Sequence, residues 1–227
     1  MTEKILNVAP EFDTATEYSF SWNQDFLKKA SEYNPEPEIT SLLKGDANKS
    51  RFKDELEDND ILIFFDHGNK DVLIGQNKVA LLTSSDAHLL NGKKVYTMAC
   101  LSAQELGKEA FKKGCLEYWG ATESIGFTIE DQHLFGEVFV EGAYKRFIEG
   151  ESIEDVMEQM KNHFTTQIGE TKNPWTKIWL QKDSDIWVCW YAKNPPPEEK
   201  PLTWWEQFIK WLRRLIGLEE DFTIIFC

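Results

Sequence analysis

"DILIFFDHGN" (residues 60–69) runs five apolar residues, Ile61-Leu62-Ile63-Phe64-Phe65, directly into Asp66, His67 and Gly68. Such a run reads as a strand buried on both faces, which places it in the middle of a parallel sheet. His67 then stands at its carboxyl end, the edge where open α/β sheets keep their ligands. A second strand-like run, "KKVYTMAC" (93–100), ends in Ala99-Cys100. Neighbouring parallel strands end at the same edge, so the topology predicts that the imidazole and the thiol share it. A cysteine attacks as its thiolate, and an imidazole within reach takes the proton. Gly68 lets the backbone approach a bound carbonyl closely. Its amide, with that of Cys100, is the expected oxyanion hole. Each residue alone has a plainer reading: a histidine after a strand usually belongs to the loop, and a buried cysteine usually packs as a small hydrophobe.

Working outward, strand-like and helix-like stretches alternate. "ILNVA" (5–9), "EITSLL" (38–43) and "CLEYWGAT" (115–122) read as strands, and "KDVLIGQNKVALL" (70–82) as a hairpin around Gly-Gln-Asn-Lys. Helical spacing marks residues 19–33, 131–149 and 152–168, and "NKSRFKDELEDN" (48–59) reads as a charged helix. "SAQELGKEAFKKG" (102–114) predicts a helix with a Ser102/Glu105 capping box and Gly114 at its end, its positive N-terminus close to Cys100. "TKIWLQKDSDIWVCWY" (176–191) reads as two strands around Lys-Asp-Ser-Asp. The alternation predicts an α/β sandwich. Residues 1–193 form this domain. "NPPPEEKP" (194–201) is a linker, and residues 202–227 are a separate C-terminal segment that opens as an amphipathic helix.

Of the 227 residues 41% are hydrophobic and 13% aromatic, which excludes a disordered chain. A net charge of −14 opposes binding to nucleic acid and suits a basic peptide or protein substrate. The four cysteines, Cys100, Cys115, Cys189 and Cys227, form no CxxC pair and no metal-ligand spacing with the histidines. Without a Gly-rich phosphate loop either, neither metal nor cofactor is expected. "MTEKILNVAP" lacks the apolar core of a signal peptide and no stretch is long enough to span a membrane, so the expected location is cytoplasmic. His88, His133 and His163 follow no chemical pattern, and Cys115, Cys189, Trp119, Trp187 and Trp190 read as core. In "LTWWEQFIKWLRRLIG" (202–217) an aromatic, apolar face opposes Lys210, Arg213 and Arg214. Residues 202–216 are therefore a candidate contact with a membrane surface or a protein partner, or a helix that packs back on the domain.

The two strand ends also carry a family resemblance. "FFDHGN" and "YTMACLSAQELG" resemble the His-Gly and Ala-Cys motifs of the caspase-like cysteine peptidases, a clan that includes caspases, metacaspases, legumains, gingipains, clostripain, separase and the CHAT domains. "AFKKGCLEYWGATES" (110–124) is similar to the passage that follows in gingipain-like and CHAT members. The resemblance covers about residues 5–191, but only the two short motifs are specific. It implies a caspase-like three-layer α/β/α sandwich with a mixed, mostly parallel sheet, a Cys100 nucleophile, His67 as general base or acid, and a Gly68 amide in the oxyanion hole. The sequence departs from caspases and metacaspases at Met98-Ala99-Cys100-Leu101-Ser102, which withdraws support for cleavage after aspartate. In this clan the specificity pocket comes from the loops after the first strand and after the strand that follows the cysteine helix. Here those are "PEFDTATEY" (10–18) and "ATESIGFTIED" (121–131), which hold Glu11, Asp13, Glu17, Glu123, Glu130 and Asp131, with Ser124 beside them. Asp13, Glu17, Glu123, Ser124 and Asp131 are accordingly the expected substrate-binding residues, and carboxylates there suit Arg or Lys at the cleavage site. The implied activity is a cysteine endopeptidase. The alternative is a domain of the same fold that binds partners without turnover.

Overall fold

The computed structural model describes residues 3–198. Along the chain run β1 (Ile5–Ala9), α1 (Thr14–Ser31), β2 (Ile39–Leu43), α2 (Lys49–Asp58) and β3 (Ile61–Phe65). Next come β4 (Gly68–Asn69), β5 (Val72–Gly75), β6 (Val79–Thr83), β7 (Lys94–Met98), α3 (Glu105–Lys112) and β8 (Glu117–Ala121). The domain closes with α4 (Gln132–Phe147), α5 (Ile153–Glu170), α6 (Pro174–Ile186) and β9 (Trp187–Tyr191). Six strands form one sheet in the order β2-β1-β3-β7-β8-β9, parallel except for β9, which runs antiparallel to β8. A small antiparallel sheet of β4, β5 and β6 stands apart from it. The hairpin over residues 70–82 turns through Asn77 and Lys78, both with positive φ.

Burial explains why β3 has no polar alternation. Ile61, Ile63 and Phe65 pack with α1, α4 and α5 on one side, through partners such as Phe26, Phe139 and Phe164. Leu62 and Phe64 pack on the other with Phe52 and Leu56 of α2 and Leu106 and Ala110 of α3. A strand between two helical layers needs apolar residues at both parities. Tyr96 of β7 and Trp119 of β8 are fully buried on the first side, and the Tyr96 hydroxyl donates to the Phe139 carbonyl at 2.8 Å. Arg146 holds α4 to β8 through the buried Glu117, donating from Nε at 2.9 Å and Nη2 at 2.8 Å. The mixed, mostly parallel sheet with helices on both faces is the expected sandwich.

Three local readings are corrected. Residues 176–186 form helix rather than strand: Asn173 caps α6 by accepting from the Trp175 amide, and Pro174 occupies its first turn. The buried positions Thr176, Leu180 and Asp183 have helical spacing, disguised because two of the three are polar. Helix α1 begins at Thr14, five residues earlier than the apolar spacing suggests, because Asp13 caps it. Helix α3 begins at Glu105, and the expected Ser102/Glu105 capping box does not form, since the buried Ser102 hydroxyl pairs with Thr97 Oγ1 at 2.7 Å. The positive end of α3 therefore lies further along the chain from Cys100 than the sequence suggests. The C-terminal segment 202–227 and the last three residues of the linker, 199–201, lie outside the described residues. Among those described, no helix is long and apolar enough to cross a membrane.

Candidate active site

The carboxyl ends of β1, β3, β7 and β8 deliver every residue of the site. After β3 the chain passes Asp66 and His67 and enters β4 at Gly68. The Asp66 amide still pairs with the Met98 carbonyl at 3.3 Å, so His67 departs just where β3 parts from β7. A β-carbon at Gly68 would come within 2.9 Å of the Ala99 side chain and 3.2 Å of the Cys100 carbonyl. Glycine is what lets the His67 segment lie against the Cys100 segment.

Cys100 follows β7 and is 4% exposed. Its thiol points to the Ile125 carbonyl at 3.7 Å and also hydrogen-bonds the Ser124 side chain. Burial pushes the thiol up to about 12, only partly offset by those hydrogen bonds and by Lys182. Leu101, next in the chain, has φ +59, a left-handed conformation that a bulky residue adopts at a cost. The loop after β8 over-determines it. The Leu101 amide donates to the Glu123 carbonyl at 3.0 Å, that of Ala103 to Ala121 at 3.0 Å, and Gln104 Nε2 to Thr122 at 2.6 Å.

The loop after β1 supplies the partner of the imidazole. His67 Nε2 lies 3.0 Å and 3.2 Å from the two carboxylate oxygens of Asp13. A carboxylate only accepts, so this bond places the proton on Nε2 and leaves Nδ1 as the basic nitrogen. Asp13 Oδ1 also accepts from the Thr16 amide at 3.1 Å, so one side chain caps α1 and holds His67. Partial burial raises the Asp13 carboxyl, but the Thr16 hydrogen bond and His67 outweigh it and hold it below the usual range. Phe12 packs on the imidazole with ring centroids 5.6 Å apart.

His67 and Cys100 line one narrow cavity with room for about one water molecule. Helix α1 forms one wall with Ala15, Thr16, Ser19 and Trp22, and Met98 and Ala99 form the opposite side. Ile125 and Phe127 close it from the loop after β8, and Asp66 reaches it from the end of β3. The expected specificity residues are elsewhere. Asp13 braces His67, and Glu17 is exposed on the first turn of α1. Glu123 is exposed and pairs with Lys182 at 3.7 Å. Asp131 precedes α4 and accepts from the Thr171 and Thr176 hydroxyls at 3.0 and 2.6 Å. Ser124 bonds the Cys100 thiol, and none of these five lines the cavity.

Two buried acids carry no role in the sequence reading. Asp183 is fully buried and accepts from the Gly126 amide at 3.2 Å, which ties α6 to the loop beneath Cys100. Asp66 is 5% exposed; the backbone amide of His67 is the one donor that favours its charge, and neither carboxylate oxygen has a hydrogen bond of good geometry. Its only signal in the sequence is an acid directly after an apolar strand.

No protein-family model matches the chain, and no curated protein matches it in sequence. Among solved structures it is similar to the Arg-specific cysteine proteinase gingipain R, with a TM-score of 0.51 at 11% identity. The match covers 84% of this chain and 46% of gingipain R, so the chain spans less than half the length of that neighbour. At this identity the likeness is one of fold, and the fold it shows is the caspase-like three-layer α/β/α sandwich.

Proposed function

We propose that the chain is a cysteine endopeptidase acting through Cys100 and His67 and cleaving after a basic residue. The observation that carries this reading is the convergence of thiol and imidazole on one cavity at the carboxyl edge of the sheet, with the imidazole braced by Asp13. In the proposed cycle His67 Nδ1 takes the thiol proton, and the sulfur adds to the scissile carbonyl carbon. The oxygen, now negative, is held by the amides of Gly68 and Cys100. When the tetrahedral intermediate collapses, the C–N bond breaks and His67 returns its proton to the leaving amine. Water, activated by the same nitrogen, then hydrolyses the thioester. Asp13 stays ionised and stabilises the imidazolium that appears twice in this cycle. The net charge of −14 favours approach of a basic substrate. An Arg-specific proteinase of the same fold is consistent with that preference.

A second reading has its own observation. A thiol pushed up to about 12 is protonated at rest, and Cys100 is nearly inaccessible. Such a site suits a caspase-like domain that binds without turnover, unless substrate opens the cavity and forms the ion pair as it docks. One experiment separates them. Wild type and Cys100→Ala are incubated with a peptide library and with an arginyl acyloxymethyl ketone. The peptidase reading expects cleavage and covalent labelling by the wild type alone, and absence of both refutes it.

A further inference from the structure

We infer that Asp66 recognises the cation of a basic substrate side chain, which enters the cavity beside Cys100 and His67. This rests on the peptidase reading above and assigns its specificity to a residue outside the loops where the sequence places it. An ionised carboxylate has two oxygens that seek donors, and burying it without them is costly. Asp66 is 5% exposed and lines the cavity, yet no side chain donates to it, and the His67 amide beside it meets neither oxygen with good geometry. At rest the group avoids that cost by keeping its proton, and the fork of a guanidinium or an ammonium supplies the donors that let it ionise.

The walls select the rest of the ligand. Trp22 and Phe127 meet edge-on with centroids 5.1 Å apart, and Met98 and Ile125 add further apolar surface. Trp22 Nε1 already donates to Gln132 Oε1, so its ring is left to pack against an aliphatic stem or face a cation. An apolar slot with one carboxylate matches the stem and head of Arg or Lys in character, and its walls must part to admit either, since the closed cavity holds about one water. A peptide that presents its carbonyl to Cys100 sends the adjoining side chain into this same cavity. Burial raises the Asp66 carboxyl to about 8, with the nearby Asp13 charge adding to the effect, and an incoming cation reverses that shift by favouring the anion.

The test uses the full-length protein, its Cys100→Ala variant, and both again with Asp66→Asn. Each is titrated calorimetrically with n-butylguanidinium and n-butylammonium, and with neutral n-butylurea as control. Thermal melts confirm that the isosteric substitution stays folded, and Asp66→Ser provides a second variant. The expected result is that at least one cation binds about tenfold or more tightly than the urea, that Asp66→Asn erases the difference, and that Cys100→Ala keeps it. Cations that bind no better than the urea, or a preference that survives Asp66→Asn, overturn the assignment. The two readings fail separately. Cleavage after Arg or Lys that Asp66→Asn leaves unchanged removes Asp66 and keeps the peptidase. Cation binding without cleavage or labelling removes the peptidase and keeps the cation site.

Discussion

Asp13 and Asp66 flank the same histidine, yet the fold treats them oppositely. Asp13 is part-exposed, caps α1 and accepts from His67, so its charge is supported from two sides. Asp66, one residue before His67, is buried with only the His67 amide to favour its charge, and burial outweighs that support. A carboxylate already satisfied by its own chain orients and stabilises; one that is not can respond to a ligand. The contrast shows that proximity to the imidazole does not set an acid's role, whereas the number of donors available to it does.

The comparison matters only if His67 is the base that both acids serve, and the largest expected effect tests that. Cys100→Ala and His67→Ala should each lower kcat/KM for peptide cleavage by about 10³-fold or more, with little change in melting temperature. Nucleophile and base act as a unit, so the double variant should lose scarcely more than either single one. Near-normal turnover by His67→Ala would dissolve the comparison.

Exchanging one acid at a time sharpens it. Asp13→Asn keeps a side chain that caps helices as well as aspartate does, so stability should move by less than about 1 kcal/mol. Without a charge to stabilise the imidazolium, kcat should fall about 10- to 100-fold, with KM nearly constant. Asp13→Ala should add the loss of the cap, about 1 kcal/mol. Steady-state kinetics with denaturant titration reads both. Equal kcat for Asp13→Asn and wild type would leave Asp13 as a cap alone.

The two acids should also act on opposite limbs of the stability–pH curve. Asp66 titrates near 8 in the fold against a usual value of 3.8, so between those values the folded state keeps a proton that the unfolded state releases. Stability from this group is greatest at low pH and declines as pH rises, by up to about 1.4 kcal/mol per unit. Asp13 is lowered in the fold, so its contribution is present above the usual carboxylate range and is lost as pH falls through its folded value. Asp183 is raised by burial as Asp66 is, so the informative quantity is the difference between wild type and variant. Denaturant curves from about pH 2 to 9 should show that Asp66→Asn flattens the decline between about pH 4 and 8 and that Asp13→Asn weakens the loss below about pH 4. Parallel curves for wild type and Asp66→Asn would mean that Asp66 has found a donor.

The same contrast explains what could be read from the sequence. The ends of β3 and β7 were legible because two runs, 61–65 and 95–98, are buried throughout as strands between helices are, and His67 and Cys100 follow from them. Helix α6 was not, because two of its three best-buried turns carry Thr176 and Asp183, whose burial depends on partners far along the chain. Asp13 was legible as an acid near the site but not as a cap, since its donors are Thr16 and His67 together. Asp66 was least legible of all. A sequence lists a carboxylate without its donors, and the lack of any side-chain donor is what distinguishes this one.

The smallest expected effect concerns the acids that lie outside the cavity. Glu17 is exposed on α1, and Glu123 is exposed beside Lys182, which already offsets its charge. Exposed charges act on a distant cation through water and are screened within about 10 Å at ordinary salt. Glu17→Gln and Glu123→Gln should therefore each change the preference for Arg or Lys over a neutral side chain by less than about twofold, while Asp66→Asn removes most of it. Measuring that preference at low and at 0.5 M salt sharpens the distinction. A buried contact at Asp66 should persist as salt rises, because little electrolyte reaches it, whereas any contribution of Glu17 or Glu123 should disappear. If either exposed substitution cost as much as Asp66→Asn, the cation would lie on the outer loops and the comparison between the two flanking acids would lose its functional meaning.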